Sequence, residues 1–115
     1  MKIKIGELNG AALDWAVKKA IKKDGGYFLP SKDYKNINHS TNWAQAGPII
    51  EREEIEIKKY TPKYWSAKHL AFGLAFRETG ATICLGETPL VAAMRCYVAS
   101  KLGEEVEVPE EIINA

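Results

Sequence analysis

An indole, an amide and two guanidinium groups are the side chains of this 115-residue chain best suited to hold an anionic, aromatic ligand. Trp43, Gln45 and Arg52 stand close together in the middle of the sequence, and Arg95 stands far downstream. An aromatic plane stacks on a base, and guanidinium groups bond phosphate through two N–H donors at once. A helix start at Thr88 to Leu90 adds unbonded backbone N–H groups, which attract anions. These four residues are the candidate ligand-binding group. The plainer alternative is that Trp43 plugs a core and that Arg95, set in a largely apolar helix, turns inward to pair with Glu51 or Glu53.

Other chemistry is scarce. The chain has no Gly-x-x-x-x-Gly-Lys phosphate loop, no Gly-x-Ser-x-Gly elbow and no His-Glu-x-x-His pair. Glu51, Glu53 and Glu54 cluster, and paired carboxylates can act as acid and base. They flank the entry to a strand, however, where acids serve solubility. No catalytic residue is assigned, and a non-enzymatic protein is expected. His39 and His69 lie far apart and neither approaches a cysteine at ligand-like spacing, so neither a metal site nor a cofactor is expected. Cys84 falls in an apolar strand-like run and Cys96 on the last long helix; free buried thiols are expected rather than a disulfide. The run Lys58-Lys59-Tyr60-Thr61-Pro62-Lys63-Tyr64-Trp65, continued by Lys68-His69, is the best nucleic-acid candidate, since lysines neutralise phosphates and aromatics stack on bases. With only three arginines in the chain, ordinary strand residues with their lysines in water account for it as well. Trp15 lies outside the apolar stripe of its helix. It belongs either under another part of the chain or at a protein interface.

Composition narrows the classes. The 46% hydrophobic and 27% charged fractions are those of a globular domain, and the length allows one core. No apolar stretch is long enough for a membrane helix, and residues 1–7 lack the apolar run of a signal peptide, so a cytoplasmic protein without membrane contact is expected. Net charge is +1, unevenly spread: residues 1–35 hold eight lysines against four acids, while Glu104, Glu105, Glu107, Glu110 and Glu111 have no basic neighbour in the tail. Either a nucleic-acid face or simply solvated surfaces would produce that pattern.

The elements that must position these residues are marked by caps and spacing. Lys2-Ile3-Lys4-Ile5 alternates as a short strand. Asn9 caps a helix to about Lys23, with Leu13, Ala16, Val17, Ala20 and Ile21 as its buried stripe and Leu8 stapled to Leu13. Asp24-Gly25-Gly26 ends it. Tyr27-Phe28-Leu29 is expected as a strand stopped by Pro30, and residues 31–42 as a polar surface loop. Ordered structure resumes at Trp43, with Gly47-Pro48 as a turn. Ile55-Glu56-Ile57-Lys58 and Tyr64-Trp65-Ser66-Ala67 read as strands. Residues 70–76 and 82–85 read as a hairpin turning at Gly80. Thr88 caps a final helix with Pro89 in its first position, Leu90, Val91, Met94, Tyr97, Val98 and Leu102 as its stripe, and Gly103 as its end. Ala92, Ala93 and Ala99 permit a close approach on the neighbouring face. Val106-Glu107-Val108 adds an edge strand. The fold expected is one α+β domain: a single antiparallel-rich sheet with two amphipathic helices packed on one face.

Three blocks carry a family resemblance. Glu7-Leu8-Asn9-Gly10-Ala11-Ala12-Leu13-Asp14-Trp15-Ala16-Val17, Asn42-Trp43-Ala44-Gln45-Ala46-Gly47-Pro48-Ile49-Ile50-Glu51-Arg52-Glu53 and Thr88-Pro89-Leu90-Val91-Ala92-Ala93-Met94-Arg95-Cys96-Tyr97-Val98-Ala99-Ser100-Lys101-Leu102-Gly103 resemble, in order, the signature blocks of the NinX-like phage proteins. The segment 57–86 fits less well and contributes nothing. The resemblance implies a setting, an accessory protein made inside a bacterium during growth of a tailed phage or prophage. It supplies no chemistry. Taken together, the residues and the setting lead us to expect a binding protein that captures a host small molecule, such as a nucleotide signal, or a host protein. The alternative is a nucleic-acid-binding factor in phage recombination or replication. The sequence leaves self-association into a homo-oligomer open.

Overall fold

The structure is a computed structural model in which residues 1–25, 38–69 and 82–114 are described. Strand β1 (Lys2–Lys4) runs into a single 3-10 turn, Ile5–Glu7, and then helix α1 (Gly10–Lys23). Helix α2 (Trp43–Glu53) is followed by strands β2 (Ile55–Lys59), β3 (Trp65–His69) and β4 (Thr82–Gly86). Helix α3 (Pro89–Leu102), strand β5 (Glu105–Glu107) and the short helix α4 (Glu110–Ile113) complete the order. The expected strand at Tyr27-Phe28-Leu29, and the first arm and Gly80 turn of the expected hairpin, lie outside the described residues.

The α+β class holds, but the single sheet does not. Strands β2, β3 and β4 form one antiparallel sheet in that order, with Ile57 opposite Ala67 and Ala67 opposite Cys84. Strands β1 and β5 form a separate antiparallel ribbon, with Ile3 opposite Val106. The ends of the chain are thus tied together: Val108 N–H donates to Met1 O, and the Met1 ammonium pairs with Glu107.

Helix α3 is the centre of the molecule. It packs against β2, β3 and β4 on one side, and α1 and α2 pack against it in turn. Leu90 and every residue from Ala92 to Ala99 are buried. A helix apolar on all sides belongs in the interior. The expected arrangement of two amphipathic helices side by side on one sheet face is therefore corrected to layers: sheet, then α3, then α1. The stripe residues Leu90, Met94, Tyr97 and Val98 are buried, whereas Val91 and Leu102 are only half-buried. The small-residue approach is realised at Ala92. A Cβ on Gly86 would lie 2.5 Å from Ala92 N, so the end of β4 can press against α3 only as glycine.

Helix α1 buries the expected five residues, Leu13, Ala16, Val17, Ala20 and Ile21, and both staple partners, Leu8 and Leu13, are fully enclosed. The turn expected at Gly47-Pro48 is corrected: both residues lie inside α2. Asn42 Oδ1 accepts from Ala44 N–H at 2.9 Å and Gln45 N–H at 3.3 Å, and this cap starts the helix. Pro48 removes one helical hydrogen bond. The helix persists because Ala46, Ile49 and Glu53, at spacings of three and four, form its buried face.

Candidate functional site

Arg95 projects from the middle of α3 and is 8% exposed. Its Nε donates to Leu8 O at 2.9 Å, one terminal nitrogen to Leu85 O at 2.8 Å, and the other to Asn9 Oδ1 at 3.0 Å. All three acceptors are neutral. The expected pairing with Glu51 or Glu53 does not form; Arg95 instead fastens the start of α1 to the end of β4. Asn9 follows from this. It occupies the cap position of α1 in extended backbone, but its side chain makes no cap bond and serves Arg95 instead. Burial pushes the Arg95 pKa down from its ordinary value, offset in part by Cys84, Glu87 and Tyr64. Arginine nevertheless stays charged.

The same guanidinium lines a cleft of about 620 Å³ between the β1–β5 ribbon and strand β4, with α3 at its base. Lys4, Glu104 and Glu105 stand on the ribbon side, Tyr64 and the β4 residues Ile83, Cys84 and Leu85 opposite. Ile83 is 60% exposed and Leu85 38%, so the β4 side presents apolar surface to solvent. The ribbon wall carries both signs, with Lys4 directly across from Glu105 and Glu104 next to it, while Arg95 adds positive charge from α3. The cleft can hold an anion and a hydroxyl- or amine-bearing group at once.

The other expected site residues lie elsewhere. Trp43, Gln45 and Arg52 all belong to α2, and none of them lines this cleft. Trp43 is 56% exposed at the first turn of α2, not plugged into a core. Gln45 Oε1 accepts from Asn38 N–H at 2.7 Å. Arg52 sits in the last turn of α2, where a cation suits the helix C-terminus. Sequence reasoning missed Tyr64 and Lys4 as neighbours of Arg95, because pairing of the chain's two ends has no local signature.

The carboxylate cluster resolves into one structural group. Glu51 and Glu54 are exposed, but Glu53 is buried, so the expectation that all three serve solubility is corrected. Glu53 Oε1 lies 2.9 Å from His69 Nε2 and 3.0 Å from Lys101 Nζ. Lys101 Nζ is also 3.4 Å from Asp24 Oδ1, and Tyr97 donates to Asp24 Oδ2 at 2.6 Å. Burial, and then that hydrogen bond, hold the Tyr97 pKa well above the ordinary tyrosine range.

Two of the three aromatic residues of the basic run are engaged by lysines of this chain, while Tyr60 is exposed. Lys59 Nζ lies 4.7 Å from the Trp65 ring centre, and Lys63 Nζ 5.4 Å from that of Tyr64. Trp15 is half-buried under Lys19 at 5.2 Å, and with Lys18, Lys19 and Lys22 it lines a second, smaller cleft of about 380 Å³. No disulfide joins the two cysteines. Among the described residues no group of three or more histidine, cysteine or acidic side chains is placed to hold a metal ion, and no helix is long and apolar enough to cross a membrane.

A search of curated protein sequences found no match. Residues 4–101 of the 115 match the family model described as bacteriophage P22, NinX. The match takes in α1, α2, all but the last residue of α3, and every residue that holds Arg95 in place. The chain belongs to the phage P22 NinX family and is a phage accessory protein.

Proposed function

We propose that this protein acts by binding rather than catalysis, capturing a small anionic molecule of the host cytoplasm, a nucleotide signal, in the cleft at Arg95. One observation carries the reading: a permanently charged, nearly enclosed guanidinium whose hydrogen bonds all go to neutral acceptors. A buried charge is ordinarily matched by an opposite one, and an anionic ligand would supply it. Three of the five guanidinium N–H donors are taken by those bonds, which leaves two for a ligand. In this reading Lys4 joins Arg95 on the phosphate, Tyr64 and the apolar β4 side chains receive the base, and Glu104 or Glu105 accepts from sugar hydroxyls. Glu104 and Glu105 stand beside Lys4 and repel an anion, so in this reading the phosphate lies toward Arg95, with Lys4 reaching it from the ribbon.

Titration calorimetry with mono-, di- and cyclic nucleotides, and with inorganic phosphate as a control, tests this. Because Arg95 also holds the fold, the informative variants are Lys4→Ala and Tyr64→Ala at the rim. Each is expected to weaken nucleotide binding about tenfold or more, the worth of one charge-assisted or stacking contact, with an unchanged melting temperature. Absence of nucleotide binding at millimolar concentration overturns the proposal. In the nucleic-acid alternative a strand stacks on the exposed Tyr60, and it must displace Lys59 and Lys63 to reach Trp65 and Tyr64. It predicts affinity for single-stranded DNA that falls steeply with salt.

A further inference from the structure

We propose that Cys84 and Cys96 form a reversible dithiol–disulfide pair in the cleft wall, oxidised by hydroperoxides and reduced by low-molecular-weight thiols. They are the only two cysteines of the chain. Backbone geometry brings them together. Gly86 on β4 touches Ala92 on α3. Two residues back along a strand is about 7 Å, and four residues forward along a helix is about 6 Å. Both steps keep the same face of their element, so the contact at Gly86 and Ala92 leads to Cys84 and Cys96. Accordingly, the nearness of Cys84, together with burial, pushes the Cys96 thiol's pKa up and keeps it protonated until it attacks.

The surroundings of the two sulfurs differ. Cys84 is half-buried and lines the cleft, while Cys96 is fully enclosed behind it. Arg95 lines the same cleft as Cys84, and a neighbouring guanidinium favours thiol reactivity. A hydroperoxide entering the cleft therefore meets Cys84 first. The Cys84 thiolate attacks one peroxide oxygen; the S–O bond forms, the O–O bond breaks, and the departing alkoxide or hydroxide takes a proton from water. The sulfur is oxidised by two electrons to sulfenic acid, and the peroxide is reduced to alcohol or water. Cys96 then attacks the Cys84 sulfur. The S–S bond forms as the S–O bond breaks, and the Cys96 proton leaves with the hydroxide as water. Two external thiols reverse the change and leave as their own disulfide.

The test treats the full chain with hydrogen peroxide, alkylates under denaturing conditions, and maps the peptides by mass spectrometry. The expected result is loss of both alkylatable thiols, loss of two hydrogens from the intact mass, and a Cys84–Cys96 linked peptide that dithiothreitol removes. In Cys96→Ser, dimedone should trap a sulfenic acid on Cys84. In Cys84→Ser, Cys96 should survive peroxide and alkylate fully once unfolded. If a variant does not fold, the wild-type peptide map still decides. Two intact thiols after peroxide, or oxidation only to sulfonic acid or intermolecular disulfide without the Cys84–Cys96 link, overturns the proposal.

Discussion

At the residue scale, the difference between what Arg95 and His39 reveal in sequence is instructive. A lone arginine in an apolar helix announces that it needs a partner, and that much was legible. Which partner was not, because backbone carbonyls such as Leu8 O and Leu85 O carry no residue identity. His39 gives no signal at all, yet it is 1% exposed, with neither ring nitrogen hydrogen-bonded among the described residues. Burial, and secondarily Lys18, lower its pKa from 6.5 to about 4. A base whose folded pKa is depressed leaves stability intact above the unfolded value and removes it as pH falls from there toward the folded one. Between pH 7.5 and 5 the unfolded chain binds a proton at His39 that the folded chain refuses, which costs about 2 kcal/mol. Urea midpoints across that range should fall more steeply for wild type than for His39→Leu. Parallel curves for the two proteins would place His39 in contact with water.

At the element scale, legibility followed the strength of the end signals. Helices α1 and α3 had start or stop residues and uninterrupted apolar spacing, and both were read to within a residue or two. Helix α2 was read only as ordered chain, because Gly47-Pro48 resembles a turn and hides the stripe of Ala46, Ile49 and Glu53. Asn42, at the end of the run expected as a polar loop, is its cap and helps offset the hydrogen bond lost at Pro48. The layering of α3 between sheet and α1 was missed for a related reason. Alanines at Ala92, Ala93 and Ala99 were read as a second face, though they complete an all-round apolar surface. Central placement sharpens the expectation for Met94, which is fully enclosed. Met94→Ala should destabilise the domain by about 2–5 kcal/mol in urea unfolding. A loss under about 0.5 kcal/mol, the range of surface changes, would mean that this face of α3 meets solvent.

At the scale of the whole molecule, two long-range ties decide how the elements close, and neither is visible in local sequence. The β1–β5 ribbon joins the chain ends and builds one side of the cleft. At another place Asp24 at the end of α1 and Glu53 in α2 meet the ammonium group of Lys101 in α3, and His69 at the end of β3 joins them through Glu53. The Lys101 side chain is 15% exposed and Glu53 5%, so this is an enclosed pair and not a screened surface one. Breaking such a pair from one side leaves a carboxylate without its cation and typically costs about 3–5 kcal/mol. Lys101→Met should therefore destabilise strongly, whereas Lys23→Ala, which loses only an exposed bond to Lys101 O, should cost well under about 1 kcal/mol. Glu53→Gln removes the negative charge that Lys101→Met strands. The double variant should accordingly be more stable than the sum of the single losses predicts, by at least about 1 kcal/mol in a double-mutant cycle. Simple additivity would mean that the ammonium and the carboxylate act independently, and that the convergence of α1, α2, α3 and β3 rests on apolar packing alone.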